Sequence, residues 1–519
     1  MQKEITISVS AKAATEEQSI RFSAARFLKI DVKNISDLIV QKRSIDARSR
    51  KINIHLNVTV FTEGEEAVKP NYQREYKNIS SATPIIIVGS GPAGLFAALR
   101  LIELGLKPIV VERGKDVIER RKDLAKIHKH EVNPDSNYCF GEGGAGTYSD
   151  GKLYTRSKKR GSVQRILEIL VGHGAVEDIM IDTHPHIGTN KLPKIIAKMR
   201  ENVLAAGGEI HFDCRVDDFI IKGNKMEGVI DQDGNKILGH SVILATGHSA
   251  RDIFYLLDKH KILIEAKSFA MGVRIEHPQP IIDAAQYRCE VRSKYLPAAS
   301  YKFVHQVNDK GVFSFCMCPG GHIVPSATAP GEVVVNGMSA STRSSRYANS
   351  GMVVAIEPGD LQAYSQHGEL AGLVFQQEME RMAWKAGGET QAAPAQRMVD
   401  FATNQFSNSL NDCSYIPGIT SAPLHDLLPP IIGDRLQKGF KAFGRKMNGY
   451  YTNEANILGV ESRTSSPIRI PRNEELLYHP QITNLYPCGE GAGYAGGIVS
   501  AAIDGERCAE AIKNSLINT

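Results

Sequence analysis

The fold of this chain is decided by one stretch, Pro84-Ile-Ile-Ile-Val88 followed at once by Gly89-Ser-Gly-Pro-Ala-Gly94. Five consecutive apolar residues predict a strand that is covered on both faces, as in a parallel sheet. The next residues predict a helix, because apolar residues between Leu95 and Ile102 recur on one helical face. A second apolar strand, Pro108-Ile-Val-Val-Glu112, completes a βαβ unit.

The glycines of this stretch have the spacing G-x-G-x-x-G, and Glu112 follows Gly94 by 18 residues. In that context Gly89 permits a tight turn, Gly91 lets a pyrophosphate approach the backbone, and Gly94 allows close helix–strand packing. The helix start, Pro92-Ala93, directs its N-terminus at the phosphates, and Glu112 is predicted to accept hydrogen bonds from ribose hydroxyls. We include the neighbouring Arg113 in this dinucleotide site. The fingerprint alone leaves NAD and FAD open.

Three later segments favour FAD, and through them the chain resembles the two-dinucleotide-type FAD oxidoreductases. Val216–Asp231 predicts a β-meander, and Ser241–Gly247 predicts a strand ending in Ala-Thr-Gly. The third segment, Leu485–Gly497, leads into a helix that begins at Ile498. The resemblance implies that Val216 contacts adenine, that Thr246 and Gly247 close the site, and that Glu490, after Gly489, binds the ribityl chain. Glu490 stands where many members have Asp, a variant of the fumarate-reductase-like branch. The helix after Gly496-Gly497 would point at the flavin, where its N-terminus stabilises negative charge.

A second glycine-rich run lies at Gly141–Leu153. Gly146 to Lys152 has the G-x-x-x-x-G-K spacing of a nucleoside-triphosphate loop, but position 153 is Leu and no apolar strand precedes the run. We therefore predict that Gly144, Gly146 and Thr147 support the flavin site. This run, His184–Thr189 and Val335–Ser339 resemble the uncharacterised bacterial FAD-dependent dehydrogenases. That resemblance brings no known substrate.

The predicted fold class is α/β, a Rossmann-like FAD-binding domain with a parallel sheet and a β-meander. A chain of 519 residues should form two or three units. Alternating apolar residues at 5–9 and 52–60, with helical character at 16–28, predict a small N-terminal α+β domain over residues 1–80. We assign residues 81–263 and 476–519 to the FAD-binding domain. Residues 264–475 form an inserted mixed α+β substrate domain.

Flavin carries out redox chemistry itself, so the protein must supply positioning and protons. Candidate acid–base residues are His184 and His186, in a Pro/Gly-containing loop, and His248, which follows the Ala-Thr-Gly turn. Each of these can equally be a structural histidine. Arg274, Arg463 and Arg469 are candidates for holding an anionic substrate, and surface ion pairs are the alternative.

Two familiar enzyme types lack support in the sequence. The closest cysteine pair, Cys316-x-Cys318, leaves one face of a predicted strand, and Cys488 has no partner nearby in sequence, so a dithiol reductase is disfavoured. There is no second strand–G-x-G-x-x-G–helix; NADH or NADPH is thus a candidate for a transient electron donor only. No Cys/His cluster has metal-ligand spacing, and no metal site is predicted.

Composition adds little beyond this. The formal charge is +5, no apolar run reaches the length of a membrane span, and eight irregularly spaced cysteines without an export signal predict reduced thiols in the cytoplasm. The partner is a small molecule, and the oligomeric state is open. The basic segment Lys42–Lys51 supports an alternative, an RNA-associated flavoprotein, although we interpret it as a solvated turn. A flavin-binding protein without catalysis is a third reading.

Overall fold

The computed structural model describes residues 2–49, 51–68, 70–155 and 159–517. The described residues up to Thr62 form a three-stranded antiparallel sheet of order β1-β3-β2 with one helix packed on it. Its elements are β1 (Gln2–Val9), α1 (Glu17–Leu28), β2 (Ile35–Asp46) and β3 (Asn53–Thr62). Helix α1 buries Ile20, Ala24 and Ala25. Strand β2 includes Lys42–Asp46, so half of the basic segment is strand and not turn.

The next unit contains the βαβ motif where the sequence predicts it. Its elements are β4 (Pro84–Val88), α2 (Pro92–Glu103), β5 (Lys107–Val111), α3 (Arg120–Ile127), α4 (Val163–Gly172), α5 (Asp178–Ile181), α6 (Leu192–Ala205), β6 (Glu209–His211), β7 (Val216–Lys222), β8 (Lys225–Asp231), β9 (Lys236–Leu238), β10 (Ser241–Leu244) and α7 (Arg251–Lys259). Strands β7, β8 and β9 pair in order as an antiparallel meander.

An inserted unit follows, which we call the cap. Its elements are β11 (Glu265–Ala266), β12 (Phe269–Pro278), α8 (Gln279–Tyr287), β13 (Val304–Val307), β14 (Lys310–Cys318), β15 (Gly321–Pro325), β16 (Val335–Ser339), β17 (Tyr347–Ile356), α9 (Ala371–Ala386), β18 (Ala393–Arg397), α10 (Met398–Ala402), β19 (Ile419–Ser421), α11 (Leu424–Leu427), α12 (Pro430–Lys446), β20 (Asn456–Glu461) and β21 (Ile468–Arg469). Its main sheet has seven strands in the order β13-β14-β17-β12-β20-β18-β19, and β15 pairs with β16 beside it.

The chain then returns to the first sheet through β22 (Leu485–Pro487) and ends in α13 (Ile498–Ile517). The completed sheet is parallel, with the order β22-β10-β4-β5-β6. Its central strands are buried on both faces, which explains the unbroken apolar run at Pro84–Val88. The α/β fold with a parallel sheet, a meander and an inserted mixed unit is therefore confirmed. Among the described residues, no helix has both the length and the apolar content for crossing a bilayer.

Candidate functional site

A cleft runs along the carboxyl ends of β4, β5 and β10, and the cap forms its other wall. Open α/β sheets bind ligands at this edge. The cleft is lined by every residue predicted to bind the cofactor except three, Gly94, Thr147 and Gly489. On the cap side it is lined by Phe315, Cys316 and Cys318 of β14 and by Asn336 and Gly337 of β16.

The glycines of the fingerprint differ in their surroundings. A Cβ on Gly94 would lie 1.9 Å from the carbonyl oxygen of Gly89, so Gly94 serves the packing of α2 on β4. A Cβ on Gly91 would point into the cleft, where the nearest heavy atom is Cα of Gly144, 3.9 Å away. Around Gly247, Gly496 and Gly497 a Cβ would meet no protein atom within 4 Å. The bare backbone of these glycines fits a pyrophosphate and a flavin ring.

Glu112 is buried at the end of β5, and its carboxylate binds the protein itself. One oxygen accepts hydrogen bonds from N–H and Oγ–H of Ser90 at 2.9 and 2.8 Å, and the other accepts from the N–H groups of Gly114 and Gly141 at 2.9 and 3.0 Å. A carboxylate has about four acceptor positions, so these donors fill them. Glu112 thereby fixes the two glycine loops. A ribose hydroxyl could donate to Glu112, as predicted, only by sharing a carboxylate oxygen with one of these four donors.

The second glycine loop lies directly on the first. A Cβ on Gly144 would lie 3.1 Å from the Cα of Gly91, and a Cβ on Gly146 would lie 3.3 and 3.4 Å from the side chains of Ile498 and Pro92. The loop therefore stands where the N-termini of α2 and α13 meet. Thr147, by contrast, faces inward and donates its hydroxyl hydrogen to the carbonyl of Glu142 at 2.8 Å.

One end of the cleft, where the sequence predicts the adenosine, is lined by Arg113 and Val216. The Arg113 guanidinium lies 4.3 Å from the centroid of the Phe140 ring and pairs with Asp135 and Asp252 at 2.8 and 2.9 Å. Its charge is thus balanced within the protein, and its flat face is held against an aromatic ring.

At the opposite end, Glu490 and His248 lie together, with Oε2 of Glu490 3.7 Å from Nε2 of His248. Burial, with Arg463 and Arg251 nearby, lowers the pKa of His248 to about 4, so the ring is neutral at pH 7. Burial raises the pKa of Glu490 to about 6. Asp504 of α13 accepts a hydrogen bond from N–H of Gly489 at 2.9 Å and fixes the loop that carries Glu490.

Replacing Glu490 with Gln is expected to stabilise the cofactor-free protein at pH 8 by about 1 kcal/mol. The folded-state pKa lies above the ordinary value of 4.5, so the folded protein holds the proton more tightly and loses stability as pH rises from about 4.5 through about 6. The full shift corresponds to about 2 kcal/mol, and water in the cleft reduces it. Melting temperatures from pH 4 to 8 test this. If the variant keeps the same pH dependence as the parent, Glu490 is not the titrating group.

Behind His248 lies a buried network of two arginines and two glutamates that joins the two units. Arg463 and Arg251 each pair with both Glu332 and Glu380, at 2.7 to 3.1 Å. Arg463 lines the cleft, but its charge is engaged in this network.

The other two candidate arginines are also not placed as free cations that could hold an anionic substrate in the cleft. Arg274 is fully buried and binds Glu461, Asn349 and the carbonyl oxygen of Cys316. Arg469 lies 5.6 Å from the centroid of the Tyr494 ring at the protein surface.

The structure separates the three candidate histidines. His248 lines the cleft, whereas His184 and His186 do not. The ring of His184 packs edge-on against Tyr154, whose own side chain lines the cleft, with centroids 5.0 Å apart. Nε2 of His186 lies 3.2 Å from the carbonyl oxygen of Ser341. Burial lowers the pKa of both. Their catalytic role stays a prediction, and His184 contacts the cleft lining at Tyr154.

Cysteine geometry differs from the regular strand assumed in the sequence analysis. Strand β14 bulges between Phe315 and Cys318, and Cys316 has φ +42°. The bulge turns the exposed Cys316 into the cleft. Two cations bind the backbone carbonyls of the bulge. Nη2 of Arg274 donates to the carbonyl oxygen of Cys316 at 2.7 Å, and Nζ of Lys152 donates to that of Met317. Lys152 therefore anchors the cap and does not act in a triphosphate loop.

Cys488 does have a partner, which the sequence analysis missed. Cys508 comes from α13, and the two sulfurs and a carboxylate oxygen of Asp504 lie within 4.8 Å of one another. The group is fully buried, and Arg472 pairs with Asp504 at 2.6 Å. A guanidinium thus occupies the position beside the carboxylate, and the cluster supports the Gly489 loop. A search for closely spaced cysteine pairs could not reveal this contact, because Cys508 follows Cys488 by 20 positions.

The basic segment of the N-terminal unit is partly neutralised. Arg43 binds Asp178 and Asp182 at 2.8 and 2.6 Å, and Arg48 binds Asp46 at 2.7 Å. Arg50 lies outside the described residues. Association with RNA stays a prediction, and Arg43 instead ties β2 to α5.

Comparison with known proteins agrees with this cleft. Residues 82–125 match a family described as "FAD binding domain", and residues 268–464 match "FAD-dependent protein, C-terminal domain-like". Residues 1–61 match a domain of unknown function. The fold and the site define a flavoprotein, and its cofactor is FAD.

The relatives place the chain more narrowly. It is 39% identical over 505 residues to an uncharacterised protein of Clostridium beijerinckii, covering 93% of this chain and 94% of that one. The chain belongs to the same family of FAD-dependent proteins and is a flavin-dependent enzyme. A thiamine thiazole synthase of Aeropyrum pernix is 30% identical over 147 residues, 28% of this chain and 42% of that protein. The solved 2,6-dihydroxypyridine-3-hydroxylase of Arthrobacter nicotinovorans covers 83% of this chain and 84% of its own, with 11% identity and a TM-score of 0.38.

Proposed function

We propose that this protein is an FAD-dependent oxidoreductase of the two-dinucleotide type that exchanges electrons with a small molecule bound between the flavin site and the cap. One observation carries the proposal: the cleft continues without a break from the glycine loops to Tyr154, Cys316 and Asn336. A protein that only stored FAD would not need the cleft to extend beyond the glycine loops to these residues. When bound, FAD supplies the two-electron redox step.

The chain's own residues supply binding and proton handling. Asn336 offers a polar group to the small molecule, and Tyr154 and Phe315 offer apolar surface. His248 is neutral and lies beside Glu490, so this pair can hold or pass a proton at Nε2 and Oε2. The N-terminus of α13 faces the same end and favours negative charge there.

The test is an anaerobic screen of the purified yellow protein against NADH, NADPH and a panel of metabolites, followed by flavin absorbance. Bleaching by one donor, followed by recovery with an acceptor, supports an oxidoreductase. Reduction by dithionite together with inertness toward every donor would instead support a flavin-binding protein without catalysis. NADH or NADPH as a donor, and a cytoplasmic location, remain part of the proposal.

Tyr154→Ala is expected to raise KM for the small molecule about fivefold and to leave FAD content unchanged. Tyr154 is 52% exposed, it lines the substrate end, and loss of one aromatic contact costs roughly 1 kcal/mol. Tyr255→Ala is the matched control, since Tyr255 is 40% exposed on α7 and hydrogen-bonds Gln377 outside the cleft lining. Equal kinetic effects of the two variants would contradict a substrate site at Tyr154.

A further inference from the structure

Arg120, the first residue of α3, is a fully buried arginine beneath the second glycine loop. Its Nε donates to the carbonyl of Asn137 at 2.8 Å, and its Nη1 donates to those of Glu142 and Gly144 at 2.9 and 3.0 Å. Its Nη2 is buried and has no hydrogen-bond partner among the described residues. The guanidinium also lies 5.1 Å from the centroid of the Tyr148 ring.

No carboxylate of the described residues lies within ion-pair distance of Arg120, unlike the other buried arginines Arg251, Arg274 and Arg463. Glu112 and Glu142 are near enough to act on its charge, but their oxygens are turned elsewhere. Those of Glu112 take the four donors described above. Glu142 accepts from N–H of Val117 at 2.8 Å and pairs with Arg200 at 3.3 Å. Burying a cation with only neutral partners is costly.

The loop that Arg120 holds is the one that faces the pyrophosphate position. The carbonyls of Glu142 and Gly144 accept hydrogen bonds from the guanidinium, and a Cβ on Gly91 would lie 3.9 Å from the Cα of Gly144. Gly144 and Gly91 both line the cleft, so the loop that Arg120 holds forms part of the cleft wall. A Cβ at Gly141 would meet Cδ of Arg120 at 2.5 Å, so the loop closes tightly over the side chain.

We propose that Arg120 is a positioning residue for the pyrophosphate of FAD. It fixes the second glycine loop by its carbonyls, and it supplies, from below the loop, a positive charge that the bound pyrophosphate balances. A guanidinium keeps its charge under all physiological conditions, and attraction across a thin protein layer is stronger than attraction across water. The cost of burying the charge in the cofactor-free protein is then recovered when FAD binds.

The test compares Arg120→Gln, which keeps a hydrogen-bond donor and removes the charge, with Arg120→Lys, which keeps the charge. Flavin fluorescence gives the Kd of FAD for the cofactor-free full-length chain, and competition gives the Ki of ADP. Riboflavin, which has no phosphate, is titrated separately. Arg121→Gln, an exposed neighbour on α3, is the control. Circular dichroism confirms folding.

For Arg120→Gln we expect Kd of FAD and Ki of ADP to rise at least 30-fold, with riboflavin affinity changed less than threefold. Arg120→Lys, which keeps the charge but loses the forked donors that hold the loop, should raise the Kd of FAD between threefold and tenfold. Equal losses for ADP and riboflavin would show that Arg120 only fills the core. An unchanged Kd for FAD in either folded variant, within threefold of the parent and of Arg121→Gln, would also overturn the proposal. If Arg120→Gln does not fold, Arg120→Lys is still a test of the proposal. Lysine lacks the forked N–H donors of the guanidinium, so the proposal requires a measurable rise in the Kd of FAD for this variant.

Discussion

Gly91→Ala is expected to weaken FAD binding at least 100-fold, about 3 kcal/mol, and to leave the fold of the cofactor-free protein unchanged. The added methyl group meets no protein atom closer than Cα of Gly144 at 3.9 Å, so the cofactor-free protein accommodates it. It stands, however, at the point where the pyrophosphate approaches the start of α2. Purified variant protein should be colourless, and titration with FAD should give the raised Kd.

Gly359→Ala is the matched control for this prediction. Gly359 is exposed in the cap, and a Cβ there meets nothing within 4 Å. Both variants should have parental circular dichroism and melting temperatures without FAD, and only Gly91→Ala should lose the stabilisation that added FAD gives. Retention of FAD by Gly91→Ala at the parental Kd would mean that the phosphates lie elsewhere in the cleft, and the assignment of the fingerprint would be wrong.

How much of the fold and site can be predicted from the sequence depends on how far apart the interacting residues lie along the chain. The βαβ unit is local: strand, glycine turn, helix and second strand lie between Pro84 and Val111, and their pattern is readable in one window. The meander at β7–β9 and the turn before α13 are local too. These segments indicate the cofactor because the local sequence of each predicts its backbone conformation, and all of them end at the same edge of the sheet.

What the sequence did not reveal depends on contacts between distant segments. The donors on Glu112 come from residues 90, 114 and 141, and the thiol partner of Cys488 comes from the next helix. The bulge that turns Cys316 into the cleft depends on cations at positions 152 and 274. No spacing rule relates such residues, because only the completed sheet and cap bring them together. The regular-strand assumption for Cys316 and Cys318 failed for this reason.

The same kind of distant contact joins the FAD-binding unit to the cap, and Glu380 is its centre. Its carboxylate accepts from Arg251 at 2.7 Å, from Arg463 at 2.8 Å and from Oγ–H of Ser462 at 2.5 Å. The two arginines hold the pKa of Glu380 at about 2 despite burial, while burial and the neighbouring Glu380 raise the pKa of Glu332. Two cations and two carboxylates therefore form a balanced set, and loss of one carboxylate leaves a buried positive charge.

Glu380→Gln is expected to destabilise the protein by about 3 to 5 kcal/mol, the usual cost of removing one partner from a buried ion pair. In thermal melts the first transition should fall by about 5 °C or more. Because the chain has several units, each transition is followed separately. Glu16→Gln, which removes an exposed carboxylate 3.9 Å from Lys12, should shift the melt by less than about 1 °C.

Two further measurements separate the charge effect from a packing effect. Since the folded-state pKa of Glu380 lies below its ordinary value, its stabilisation is present above about pH 4.5 and is lost as pH falls toward 2. The gap between parent and Glu380→Gln should thus narrow in acid. Glu380→Gln combined with Arg463→Gln restores the charge balance, and the double variant should be more stable than the sum of the two single losses predicts. Additive losses and a gap independent of pH would show that the network contributes by packing alone.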